Sequence, residues 1–119
     1  QRGYSGVYDT AIHLFAAFET RRFTRDAGEE RQARDNARRY LGCDLLILDD
    51  LGSELTTPLS QSSLHEVVHS RLQSRRHTII STNLSMDHIA QRYTPQLASR
   101  IGGLYQELTF YGDDLRLRQ

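Results

Sequence analysis

Residues 43–50 read Cys-Asp-Leu-Leu-Ile-Leu-Asp-Asp, an almost unbroken apolar run that ends in two adjacent acids. A run of this kind suits a strand buried on both faces, as in parallel α/β sheets, where pairing and packing leave no solvent side. The run therefore delivers the carboxylates of Asp49 and Asp50 to the C-terminal lip of a buried strand. In open α/β sheets, that lip is where ligands gather.

The pattern on either side supports the same class. Thr57-Pro58 predicts a helix start with proline at the first helical position, and the helix is expected to run to about Arg76, with Leu64, Val67, Val68 and Leu72 on one face. His77 to Thr82 (HTIIST) is a second strand. Ser85 caps a short helix to about Tyr93, Thr94-Pro95 begins another that stops at Gly102-Gly103, and Tyr105 to Phe110 alternates as a last strand before a tail from Gly112 to Gln119. Upstream, Gln1 to Tyr4 reads as the end of a helix with a glycine stop, and Ser5 to Tyr8 as a short strand. Asp9 or Thr10 caps a helix to about Phe23 whose apolar side is Ile12, Leu14, Phe15, Phe18 and Phe23. Thr24 to Arg39 is a charged loop and solvated helix. Strands alternating with helices predict right-handed crossovers and a parallel sheet with helices on both faces.

Composition narrows the function classes. The chain has 119 residues, enough for one domain, and a formal net charge of zero, so no global field draws it to nucleic acid or membrane. All 15 cations are arginine, so any lysine-dependent phosphate chemistry lies outside this segment. Cys43 is the only cysteine, which excludes a disulfide framework and fits a reducing, cytoplasmic compartment. No stretch is apolar for the length of a membrane span.

Two acids at such a lip match the Walker B arrangement of P-loop ATPases, in which one acid holds Mg²⁺ and the next orients the attacking water. A strand ending in a polar turn places Asp there equally well. Asn83, after Ser81-Thr82, is positioned either to hydrogen-bond a γ-phosphate or water, or simply to turn the chain before Ser85.

The wider order separates these readings. LLILDDLGSE (45–54), IISTNLS (79–85), LASRI (97–101) and GDDLR (112–116) closely resemble, in order and spacing, the AAA+ helicase loaders of the DnaC and DnaI type, and are also similar to the IstB transposition helpers. YSGVYDTAIHLFAAF (4–18) looks like the second-strand region of the same group. The resemblance implies a three-layer α/β/α P-loop NTPase core, present from its second strand through sensor 2 over residues 1–119. It implies ATP and Mg²⁺ as cofactors, with Asp49 on the Mg²⁺ and Asp50 on the water, one methylene shorter than the glutamate many AAA+ proteins carry. Glu54 would assist. Asn83 would be sensor 1, Arg116 the sensor-2 contact to nucleotide, and Arg100 an arginine finger acting on a neighbouring subunit in a homo-oligomer. It further implies a replicative helicase or, for an IstB-type helper, a transposase as partner, and single-stranded DNA as a ligand of the helix at 10–23 through Phe15, Phe18, Arg21 and Arg22. The alternative for those aromatics is the core, and for those arginines solvent.

The resemblance fails at one place. No G-x-x-x-x-G-K-[ST] loop occurs in the 119 residues. The expectation is therefore a partial domain, an ATPase only when intact, that binds ATP poorly alone. In the AAA+ sheet the strand entering that loop lies between the sensor-1 strand and the last strand, so either direct pairing of the strands at 77–82 and 105–110 or exchange between chains is expected.

A rival of another class is literal in the sequence. His65-Glu66-Val67-Val68-His69 matches the H-E-x-x-H zinc-hydrolase helix. No H-x-x-G-x-x-H extension follows, and the third-ligand candidates Asp87, His88 and Glu107 sit in no supporting motif.

Overall fold

The computed structural model describes residues 4–54, 56–104, 106–109 and 115–118, with side chains described through residue 103, residue 55 excepted. Strand β1 spans Gly6–Thr10, and helices α1 (Ala11–Phe23) and α2 (Ala27–Gly42) follow. Strand β2 is Leu45–Leu51, α3 Pro58–Gln73 and β3 His77–Thr82. The short α4 (Met86–Arg92), α5 (Pro95–Leu104) and strands β4 (Gln106–Thr109) and β5 (Leu115–Arg118) complete the order. The opening residues 1–3, expected as a helix end, lie outside the described residues.

The helices start where side chains satisfy their orphan amides. Thr10 accepts from His13 N, Asp26 from Glu29 N and Ser85 from His88 N. Thr57 and Ser60 form a reciprocal capping box, with Pro58 in the first turn.

The sheet order is β1-β2-β3-β5-β4. β1, β2 and β3 are parallel, the α/β arrangement anticipated from the sequence. The expectation for the last strands is corrected: β3 does not pair with β4. Strand β5, from the segment read as a tail, pairs antiparallel to both and lies between them. The edge of β3 is thereby covered within the chain, by a strand of the opposite direction.

Each crossover from β1 to β2 to β3 steps the same way across the sheet, and right-handed crossovers in one direction return over one face. That face is the core. Val7, Leu46, Leu48 and Ile80 join Leu14 and Phe18 of α1, Tyr40 of α2, Leu64 and Val68 of α3, Ile89 of α4 and Leu97 and Ile101 of α5 in one buried cluster. On the opposite face, Leu45, Ile47 and Ile79 are only half-buried and Tyr8 is exposed. A third layer of an α/β/α sandwich would lie on this second face.

Two residues depart from simple patterning. Leu72, assigned to the apolar stripe of α3, is half-buried, whereas Arg71 beside it is fully buried. Its guanidinium donates to Thr78 Oγ1 (2.8 Å), the Tyr40 carbonyl (2.9 Å) and the His77 carbonyl (2.7 Å), tying α3 to the end of α2 and to the first turn of β3. The Tyr40 carbonyl lies in the last turn of α2, where no further turn of helix supplies a donor. Arg71 Nη1 also lies 3.5 Å from Cys43 Sγ.

Replacing Arg71 by Met removes the buried donors to the Tyr40 carbonyl and Thr78 hydroxyl and is expected to lower unfolding free energy by about 2–4 kcal/mol. Leu72→Ala, at a half-buried site, costs about 1 kcal/mol. Urea unfolding of the two variants checks the order, which is the reverse of their hydropathy.

Candidate functional site

Strand β2 carries an irregularity that decides where its acids point. In the β2–β3 ladder Leu48 faces Ile80 and Leu51 faces Thr82, so three residues of β2 span two of β3. Side chains alternate along a strand, so Leu48 and Leu51, three apart, cannot share a face without an extra residue. The bulge supplies it, and both leucines are fully buried. Asp50 is the residue that absorbs the change, in the left-handed region at φ 64°. That conformation costs about 1–2 kcal/mol for an ordinary L-residue and less for Asp, whereas burying Leu51 returns roughly 1.5–3 kcal/mol. The bulge therefore wins, and it leaves Asp49 half-buried on the open face and Asp50 exposed.

Gly52 then turns the chain at φ 106°, a conformation that favours glycine, and a Cβ there would also displace the Leu84 side chain, whose Cδ1 lies 2.7 Å away.

The acids are held from both neighbouring strands. Tyr8 Oη of β1 donates to Asp49 Oδ2 at 2.5 Å, and Ser81 Oγ of β3 donates to Asp49 Oδ1. The amide of Asp50, displaced from the ladder, donates to the same Ser81 Oγ at 3.0 Å. Asn83 follows two residues later, exposed, just beyond the Leu51–Thr82 pair. Asp49, Asp50 and Asn83 thus lie at one rim, the C-terminal ends of β2 and β3. Arg116 belongs to β5, and its backbone pairs with Ser81; its side chain lies outside the described residues, as does that of Glu107.

Beside this rim, on the helix-facing side of β1, Asp9 accepts from Tyr40 Oη (2.5 Å), its neighbour Thr10 N (2.8 Å) and His13 Nδ1 (3.0 Å). Burial pushes the Asp9 carboxyl up, but hydrogen bonds from Tyr40, Thr10 and His13 together with the His13 charge outweigh it and hold the group below its ordinary value. Burial first, then the bond to Asp9 and its charge, raise the Tyr40 phenol well above the usual range.

Glu54 is placed differently from expectation. It is buried, accepting from Gly52 N at 2.9 Å and from the Tyr93 hydroxyl, and so faces α4 rather than the water-side of Asp50. Arg92 closes the same loop, donating to the Gly52 carbonyl (2.7 Å), the Glu54 carbonyl (2.6 Å) and Thr56 Oγ1 (2.9 Å). This polar strap ties the segment after the acids to the end of α4. Burial and the Glu54 carboxylate both drive the Tyr93 phenol upward.

The DNA-contact assignment on α1 is corrected in part. Phe15 and Phe18 are 8% and 1% exposed and belong to the core, so neither can stack on a base. Arg21 lies over the Phe18 ring and pairs with Glu66 at 2.8 Å. Arg22 is exposed, 6.0 Å from the centroid of Phe23, which is itself 62% exposed.

The H-E-x-x-H residues do not converge. His65 Nε2 meets Thr94 Oγ1 at 3.2 Å, Glu66 faces Arg21 of α1, and His69 Nδ1 meets Arg100 Nη1 at 2.5 Å. No group of three or more candidate ligands gathers among the described residues. Among them, too, no helix is long and apolar enough to cross a membrane.

Tyr8, Ser81, Arg92 and Tyr93 were not singled out from sequence. For Tyr8 and Ser81 the signal was parity: each lies on the same strand face as Asp49 once the register is fixed.

Asp50→Asn, which tolerates the left-handed conformation, is expected to leave stability within about 0.5 kcal/mol, whereas Asp50→Val costs about 1–2 kcal/mol; thermal unfolding distinguishes them. Asp9 contributes stability above its ordinary value near 3.8 that is lost as pH falls through its lower folded value. Asp9→Asn therefore flattens the acid limb of the stability curve below about pH 4, measurable by urea titration across pH. No family model, curated protein or solved structure matches the chain.

Proposed function

We propose that this chain is the part of an AAA+ ATPase of the helicase-loader type that runs from its second strand through sensor 2, an ATP- and Mg²⁺-dependent factor in DNA replication. The observation that carries the reading is the rim itself. Two adjacent carboxylates leave a buried parallel strand at its C-terminal end, and Ser81 links them to the strand that Asn83 directly follows.

The donor set fits the cofactor. Asp49 and Asp50 offer only oxygen, the ligand type Mg²⁺ selects, and Mg²⁺ in such sites needs only one or two carboxylates beside phosphate and water. When bound, the ion neutralises phosphate charge. Asp49 would hold it, Asp50 would orient the attacking water, and Asn83 would hydrogen-bond the γ-phosphate or that water. Arg116 would contact nucleotide within the subunit.

Arg100 supports an assembly. Its partner His69 lies eleven residues into α3, roughly 16 Å along the helix from the rim end at 1.5 Å per residue. Such a guanidinium serves a neighbour's site more readily than its own. In the same reading, single-stranded DNA contact shifts from Phe15 and Phe18 to the exposed Phe23 with Arg22 and Arg25 at the α1–α2 corner, where base stacking and phosphate pairing are both available. The helicase partner follows from the resemblance alone.

The test is hydrolysis by the intact protein carrying this segment and its phosphate loop. Asp50→Asn and Arg100→Ala should each lose turnover, by about a thousandfold for the finger. Mixing the two variants should restore part of it, since each supplies what the other lacks. Equal hydrolysis in wild type and both variants would contradict the assignment.

A further inference from the structure

The two hydroxyls on Asp49 point to a role beyond the acids themselves. A carboxylate on a rim has two rotatable bonds, and an ion or water it serves needs it in one orientation. Here both oxygens are engaged from opposite sides, Oδ2 by Tyr8 and Oδ1 by Ser81. Ser81 Oγ also accepts the Asp50 amide, freed by the bulge at 3.0 Å. Hydroxyl, carboxylate and bulge thus form one chain: Asp50 N–H to Ser81, Ser81 O–H to Asp49, and Tyr8 O–H to Asp49.

We infer that Tyr8 and Ser81 are positioning residues that fix Asp49 in a single rotamer and couple it to the left-handed backbone of Asp50. The inference rests on the ATPase reading for its consequence, but not for its geometry. A carboxylate oxygen has two lone pairs and one hydroxyl donor occupies one of them, so these two bonds orient the group without by themselves closing it to a cation. Outer partners of a metal-binding carboxylate typically set affinity by about 10–100-fold.

Two measurements separate the clamp from the reaction. In this chain, the Hα–Hβ couplings of Asp49 measured by NMR should report one rotamer in the wild type and averaging in the Tyr8→Phe/Ser81→Ala double variant. Ser81→Thr, which keeps the hydroxyl, should retain the single rotamer. In the intact protein, the Mg²⁺ concentration for half-maximal hydrolysis should rise about 10-fold in either single variant, a larger change than in kcat. Asp49 couplings unchanged in the double variant would overturn the clamp whatever the activity. Averaged couplings with no Mg²⁺-dependent hydrolysis in the wild-type protein would keep the clamp and remove the ATPase reading.

Discussion

Leu48 and Leu51 must both reach the core, and they are an odd number of residues apart. That constraint organises the rim. A regular strand would bury one leucine and expose the other, and would turn Asp50 into the apolar layer, where an unpaired carboxylate is far more costly than backbone strain. The bulge resolves both conflicts for the modest cost of one left-handed residue. It also frees the amide that ties Ser81, and through Ser81 the Asp49 carboxylate, to the same point. Bulges next to active sites commonly re-aim side chains in this manner.

Behind the rim lies a hydrogen-bonded polar frame. Arg92 bonds to the carbonyls of Gly52 and Glu54 and to Thr56, while Glu54 and Tyr93 share a short hydrogen bond beneath it. Arg71 does similar work at the other end of the sheet, where α2, α3 and β3 meet. Both arginines bridge carbonyls and hydroxyls of different elements. In a chain with no lysine, the planar guanidinium with its fixed fork of donors suits that task, since it can serve several acceptors at once.

The element order was legible because each start carried its own chemistry: Thr57 with Pro58, Ser85, and Thr10 as caps, and HTIIST as a strand. The parallel β1-β2-β3 sheet followed from alternation. Strand β5 was not legible, since LRLR reads equally as a charged tail and gains its identity only from the β3 edge it covers. Within the site, Asp49, Asp50 and Asn83 were readable as a motif, but Tyr8 and Ser81 required the register, which no local pattern fixes. For Phe15 and Phe18 the sequence leaves core and DNA contact both open, because the resemblance points to DNA and the helical spacing to the core, and burial decides for the core. Arg71 was invisible for a related reason: a charge on a core stripe is read as solvent-facing unless the carbonyls awaiting it are known.

The central claim is that Asp49, Asp50 and Asn83 form one nucleotide-binding rim. Paramagnetic broadening in the ¹⁵N-labelled intact protein on adding Mn²⁺ and ATP tests it most directly. The account predicts that the amides of Asp49, Asp50, Ser81 and Asn83 broaden first, well before those of His65 to His69. Broadening centred on α3, or none at the rim with ATP present, would contradict it.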